Sequence, residues 1–247
     1  MTNFTMPLIL IENIKIIFII LYSINLSLNF EKNVLNINIQ RSAYKLAVLL
    51  VLCIMYLLLV IWAPYSNAYQ PEDGDIIFHT SRSKQSIAIQ KATNSPYSHM
   101  GIILYKKHKP YVYEASNIVK FTPLKQWIAQ GISGKYVIKR LKIGLTEKQK
   151  NELYQQALKY KSKLYDLTFS WSDERMYCSE LVWKIYSNAI GIKIGDLQQL
   201  HEFNLSSSQV KTKLKERYGH NIPTNEAIIS PKAMFDSSLL ITVDELH

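Results

Sequence analysis

Three side chains carry the types that acyl-transfer chemistry needs. They are a cysteine, Cys178, in Met176-Tyr177-Cys178-Ser179-Glu180-Leu181-Val182, a histidine, His99, in Tyr97-Ser98-His99-Met100-Gly101, and a carboxylate, Glu114, in Tyr113-Glu114-Ala115. A thiolate to attack a carbonyl, an imidazole to take and return the proton, and a polar group to orient that imidazole form the working set of a cysteine hydrolase. Each residue alone has a plainer explanation. A lone cysteine is commonly an inert small hydrophobe, and a histidine at a strand end or a glutamate on a strand commonly serves structure alone. Joint placement is what favours chemistry.

The elements that must position them are legible. Leu181, Val182, Ile185 and Ala189 recur at helical spacing, predicting a helix that runs to about Gly191 with Cys178 in its first turn. Unpaired backbone N–H groups and the positive end of the macrodipole favour an anion there, and a thiolate is an anion. Ser98 to Tyr105, the polar turn Lys106 to Pro110 and Tyr111 to Ala115 predict a hairpin that sets His99 within about one register step of Glu114. Around these, Pro71 to Phe78 predicts a turn and strand, and Ser83 to Ala92 a modest helix. Val119 to Phe121 and Tyr136 to Leu141 read as strands, with a short helix from Pro123 to Gln130 between them. Thr146 caps an amphipathic helix to about Lys161; Ser206 to Arg217 is a charged helix, Pro231 to Phe235 a helical turn and Leu239 to Val243 a last strand. The expected class is α+β, a mainly antiparallel sheet packed against helices.

With 247 residues and 48% apolar side chains the chain can bury a sizeable core, so disorder is not expected. The net charge is +10, and residues 69–247 keep 25 Lys and Arg against 17 Asp and Glu. Such a surface suits anionic neighbours such as an envelope surface. The lysines are scattered along helices and turns, with no arginine block or aromatic stacking motif, which argues against nucleic acid as partner. No histidine or cysteine pair has metal-ligand spacing, and neither a metal nor another cofactor is expected.

Leu46 to Trp62 is an uninterrupted apolar run, preceded by Arg41 and Lys45 and followed by Ala63-Pro64-Tyr65-Ser66-Asn67-Ala68. These are the parts of an export signal, with Ser66 and Ala68 as the small residues before cleavage. An uncleaved membrane anchor through residues 46–62 is the alternative. Residues 1–68 therefore read as a leader and residues 69–247 as the working domain, exported to a periplasmic or extracellular space. The first 40 residues exceed what a signal needs, which suggests translation from near Val34 or Leu35. Cys53 lies within the apolar run and reads as a hydrophobe. Once the signal is removed, Cys178 is the one remaining cysteine, an unpaired thiol in an oxidising compartment.

Gly74-Asp75-Ile76-Ile77-Phe78, Tyr97-Ser98-His99-Met100-Gly101, Glu114-Ala115, Thr122-Pro123-Leu124 with Trp127-Ile128, Tyr165-Asp166 and Tyr177-Cys178-Ser179-Glu180-Leu181-Val182 together resemble the YiiX-like permuted papain-like amidases of the NlpC/P60 superfamily. The likeness spans about Pro71 to Trp183. It implies a circularly permuted papain-like fold, in which the histidine strand precedes the cysteine helix as it does here. It further implies Cys178 as nucleophile, His99 as general base and acid, and Glu114 as the group orienting His99. Tyr97, Tyr165 and Asp166 flank the motifs and are candidates to bind substrate. The implied activity is hydrolysis of an amide through a thioester, on cell-wall peptides or lipid-linked substrates. Alternatives are a lipid esterase or acyltransferase similar to lecithin:retinol acyltransferase, and a binding module without turnover. His79 is a second candidate for the orienting role. In unpermuted papain order, His220 with Asn221 or Asn225 would serve instead.

Overall fold

Runs of β-branched and aromatic residues with short polar turns between them build one six-stranded antiparallel sheet, whose strands in spatial order are 240–246, 136–141, 76–79, 99–106, 109–115 and 119–123. The structure is a computed structural model and describes residue 15 and residues 18–23, 37–61, 69–83 and 85–246. It divides into two units, Met1–Asn67 and Ala68–His247. In the first, α1 (Ile37–Ile61) is helical, with Leu46, Leu49, Leu52 and Leu57 exposed and Cys53 exposed among them. Among the described residues no helix is long and apolar enough to cross a membrane. The expected cleavage point at Ala68, with Ser66, and the start near Val34 or Leu35 lie outside the described residues.

In the second unit the strands are β1 (Ile76–His79), β2 (His99–Lys106), β3 (Lys109–Ala115), β4 (Val119–Pro123), β5 (Tyr136–Leu141) and, at the far edge, β10 (Leu240–Leu246). Two short pairs, β6 (Leu164–Tyr165) with β7 (Arg175–Met176) and β8 (Gln198–Gln199) with β9 (Ala227–Ile228), organise the loops. The helices are α2 (Ser86–Thr93), α3 (Leu124–Gln130), α4 (Glu147–Lys159), α5 (Cys178–Ile190), α6 (Ser208–Tyr218) and α7 (Pro231–Phe235).

Alternation along the strands divides the core in two. Ile76, Phe78, Met100, Ile102, Leu104 and Tyr113 face α4 and α5, where Leu153, Ala157, Leu181, Val182, Ile185 and Tyr186 complete the main cluster. Ile77, Ile103, Val112 and Ile138 point the other way and are covered by Trp127 of α3. The four α5 side chains are fully buried, each contributing about 1.5–3 kcal/mol of burial. Thr146 caps α4 and exchanges hydrogen bonds with Gln149, and Gly191 ends α5 at φ 73°, the left-handed conformation glycine tolerates.

The chain enters this unit under restraint. Asp75, 1% exposed, accepts from the Tyr69 hydroxyl at 2.5 Å and from the Glu72 N–H at 2.8 Å. Arg140 on β5 donates to both its oxygens, at 2.7 and 2.8 Å. A buried carboxylate with this many donors has its hydrogen-bonding capacity met in place of water.

Candidate active site

Helix α5 starts where it does because Tyr177 is extended (φ −98°, ψ 165°) and its N–H donates to the Glu180 side chain at 3.3 Å. Two further bonds fix that start to the segment after β9. The Ile229 N–H donates to the Tyr177 hydroxyl at 3.1 Å, and the Ser179 hydroxyl donates to the Ile229 carbonyl at 2.8 Å. Cys178 is thereby held as the first helical residue, 3% exposed. One turn on, Glu180 is fully buried and Lys184 lies 2.8 Å from it, while donating to Asp173 and to the Ser172 carbonyl, each at 2.8 Å. Burial pushes the Glu180 carboxyl up to about 7 against the opposing pull of Lys184.

His99 opens β2, and its register partner on β1 is His79. The β2–β3 register pairs Ile102 with Tyr113, which makes Glu114 a same-face diagonal neighbour of His99. The His99 Nε2–H donates to Glu114 Oε2 at 2.7 Å. Trp127 Nε1 donates to the same oxygen at 3.0 Å, and the Thr122 hydroxyl donates to Oε1 at 2.5 Å. Glu114 is 1% exposed, so these three donors replace water. Close approach of β2 and β3 requires Gly101, where a Cβ would stand 2.4 Å from Val112 Cγ1 and 2.9 Å from the Tyr113 carbonyl oxygen.

The pair is electrostatically coherent. Burial alone would favour neutral imidazole, but hydrogen bonds to Cys178 and Glu114, and the negative charges of both, push His99 up to about 10. With Nε2 committed to Glu114, Nδ1 is the nitrogen left for Cys178. Burial would raise Glu114, yet the bond and charge of His99, the Thr122 hydroxyl and Lys120 hold it below the usual carboxylate range. His79 behaves oppositely: burial, then the charge of His99, pulls it down to about 3, so it is neutral. Its ring stacks on Trp127 at 3.9 Å and 13°. The orienting bond to His99 comes from Glu114, and His79 serves as the packed wall behind it.

Two cavities meet at this point. Cys178 lines an apolar one with Ala88, Ile89, Phe169, Leu200, Val210 and Leu214. His99 and Glu114 line a roomier, more polar one with Ser81, Ser98, Ser116, Asn117 and Arg175. Gln85, Tyr165, Lys213 and Arg217 belong to both and form the rim between them. Gln85, at the start of α2, donates to the Tyr165 hydroxyl at 2.8 Å and accepts from Arg217 at 2.6 Å. Burial, then the charge of Cys178, raises Tyr165, so its hydroxyl keeps its proton on the cavity that Cys178 also lines.

Of the other sequence candidates, Tyr97 stacks on Phe235 at 4.1 Å and lies outside both linings. Asp166, 1% exposed, accepts from the Thr168 N–H and hydroxyl, both at 2.7 Å, and from Ser170 at 3.1 Å. It shapes the loop that follows Tyr165, and it too lies outside the linings. His220 is exposed beyond the end of α6, and neither it, Asn221 nor Asn225 lines either cavity. Residues that sequence reasoning left without a role are Gln85, Thr122, Trp127, Lys213 and Arg217. For the α6 pair a signal existed in the spacing of Val210, Lys213, Leu214 and Arg217, a stripe at helical period in which two of the four are cationic.

Residues 70–243 match the family described as permuted papain-like amidase enzyme, YaeF/YiiX, C92 family. The uncharacterised protein YiiX of Escherichia coli K12 is 57% identical over 176 residues, 71% of this chain and 87% of its own. A crystal structure of the metalloprotein yiiX from Escherichia coli O157:H7 superposes with a TM-score of 0.71 at 55% identity, covering 72% of this chain and 99% of that one. Among the described residues here, no group of three or more His, Cys, Asp or Glu side chains is placed to hold a metal ion. Helix-borne cysteine, strand-borne histidine in permuted order and the match over the whole second unit lead to one conclusion: the chain belongs to the permuted papain-like amidase family of YaeF and YiiX.

Proposed function

We propose that the protein is a cysteine hydrolase that cleaves an amide joining an apolar acyl chain to a polar leaving group. The observation that carries this reading is the division of labour across the rim: Cys178 lines the apolar cavity and His99 the polar one. In acyl transfer the acyl half stays on sulfur while the leaving half departs past the acid that protonates it. A lipid-type acyl group therefore suits this site better than a cell-wall peptide, whose polar acyl half would meet Ile89, Phe169, Leu200 and Leu214.

Thiolate Cys178 attacks the carbonyl carbon, and the carbonyl π pair moves to oxygen. The Cys178 backbone N–H at the helix start and the Tyr165 hydroxyl are the donors for that oxyanion. Collapse breaks the C–N bond, and the amine takes the proton from His99 Nδ1, leaving a thioester. Water then attacks the thioester and gives its proton to His99, and the carboxylic acid departs with the thiolate restored. Glu114 holds the imidazole by Nε2 throughout.

Export, with residues 69–247 acting outside the cytoplasm, is part of the proposal. Its support is the signal-like order of Arg41 and Lys45, the apolar run and Ser66-Asn67-Ala68. The testing experiment incubates purified protein with N-acyl amides of four to sixteen acyl carbons, beside a muropeptide. Hydrolysis that rises with acyl length and vanishes in Cys178→Ala supports the reading. Cleavage of the muropeptide alone would overturn the lipid assignment, and no turnover of either would favour a binding module.

A further inference from the structure

The rim carries a charge that the reaction does not use. Arg217 sits on α6 with its guanidinium 4.4 Å from the Phe169 ring centroid, and its one hydrogen bond given by the structure goes to a neutral acceptor, Gln85 Oε1. Among the described residues no carboxylate forms an ion pair with it, nor with Arg175 on β7. Lys213, one turn before Arg217, pairs with Glu216. Thus the polar cavity holds Arg175, Lys213 and Arg217 against a single carboxylate outside the His99–Glu114 pair. Burial destabilises the charged form of Arg217, and the charges of Tyr165, Tyr218, Asp166 and Glu216 offset only part of that; a buried cation usually has a carboxylate in direct contact. Here the guanidinium has most of its donors unspent. The same cavity contains the Ser116 hydroxyl, one of the buried polar atoms without a partner among the described residues.

We propose that Arg217, flanked by Lys213 and Arg175, is a subsite for an anionic group, phosphate or carboxylate, on the leaving half of the substrate. The inference rests on the acyl-hydrolase reading for the word "leaving"; the anion subsite itself does not depend on turnover. Arg217 and Lys213 border both cavities, whereas Arg175 and Glu216 border only the polar one and offset each other; with Lys213 paired to Glu216, Arg217 is the rim charge left to meet an anion. A guanidinium presents paired N–H donors that match a carboxylate or phosphate in plane. The substrate so described is an amphiphile: an apolar acyl chain, an amide, and an acid a few bonds beyond it.

The test has two parts on the full chain. In the first, Cys178 is alkylated with iodoacetate and with iodoacetamide, which deliver nearly the same group with and without a negative charge. The rate ratio of iodoacetate to iodoacetamide should exceed that of free cysteine by on the order of tenfold and fall with added salt. It should drop several-fold in Arg217→Gln and by less in the exposed Arg175→Gln, which keeps the comparison usable should the first variant fold poorly. His99 is present in every variant, so its own charge cancels. A ratio equal to that of free cysteine, or unchanged in both variants, would overturn the proposal. In the second part N-dodecanoylglycine, N-dodecanoyl-O-phosphoethanolamine and neutral N-dodecanoylethanolamine are compared by kcat/KM. Preference for either acid that shrinks in Arg217→Gln supports the subsite and says which anion it takes; equal cleavage of all three refutes it. If none is cleaved while the alkylation ratio still depends on Arg217, the hydrolase reading fails and the anion subsite stands.

Discussion

Replacing Glu114 by glutamine isolates the charge of the orienting group from its hydrogen bonds. An amide oxygen in place of Oε2 still accepts from His99 and Trp127, and the Thr122 hydroxyl can rotate to accept from the new NH₂ in place of donating to Oε1. What is lost is a full negative charge 2.7 Å from the imidazolium. An opposite charge at that range shifts a histidine by roughly 1–3 pKa units, or about 1–4 kcal/mol. His99 is only 13% exposed, so solvent screens little of this. From a starting value of about 10, the alkaline limb of kcat/KM should therefore move to roughly pH 7–9. At pH 9 the loss in rate then lies between about twofold and about 100-fold, while at pH 6 it is small. The assay is a pH–rate profile on the best N-acyl amide, read beside a heteronuclear NMR titration of ring-labelled His99. A midpoint in Glu114→Gln within about 0.3 units of the wild type would refute the argument that the Glu114 charge stabilises the imidazolium.

Cys178→Ala should lower turnover by about 10⁴-fold or more while far-UV circular dichroism and melting stay close to wild type, since alanine suits a first helical turn; retained hydrolysis would remove the mechanism. Tyr165→Phe deletes the proposed second oxyanion donor and should cost about tenfold in kcat, about 1.4 kcal/mol, with KM changed less; equal loss in binding and turnover would make it a wall residue. Glu180 has its pKa raised from 4.5 to about 7, so the folded state holds a proton that the unfolded state releases. Its stability contribution is complete below pH 4.5 and is lost as pH rises through about 7. Urea melts at pH 5 and pH 8 should accordingly differ by up to about 3 kcal/mol from this group, and the difference should shrink in Glu180→Gln. Gly101→Ala should destabilise by about 1–3 kcal/mol through overpacking between β2 and β3, with the loss of activity tracking the lost fraction folded in the same melts.

The placement of Cys178, His99 and Glu114 was legible because local patterns fix it. The start of α5 follows from the apolar stripe after Cys178, and the His99–Glu114 relation from a hairpin whose turn sets its register. The α+β class and the permuted order follow from the same elements. What lay beyond reach depends on long-range packing. Nothing near Gln85 says that its amide will meet Tyr165, eighty positions away, or Arg217 beyond that. Tyr97 and Asp166 neighbour the motifs in sequence, but their contacts are set elsewhere: Tyr97 stacks with Phe235 and Asp166 closes its own loop. His79 looked interchangeable with Glu114 as a polar partner, whereas burial against Trp127 leaves it neutral. Placing β10 beside β5 likewise needs the whole sheet, since no short-range turn joins them.

The rim of Gln85, Tyr165, Lys213 and Arg217 has an evolutionary consequence. Ala88, Ile89, Val210 and Leu214 touch only the apolar cavity, and Ser81, Asn117, Gln130 and Arg175 only the polar one. For the proposed amphiphile, point changes in one set would retune tail length without disturbing head-group choice, and the reverse. Paralogues built on this frame are free to diverge along two independent axes, and mutational epistasis should concentrate in the four positions that both sides share.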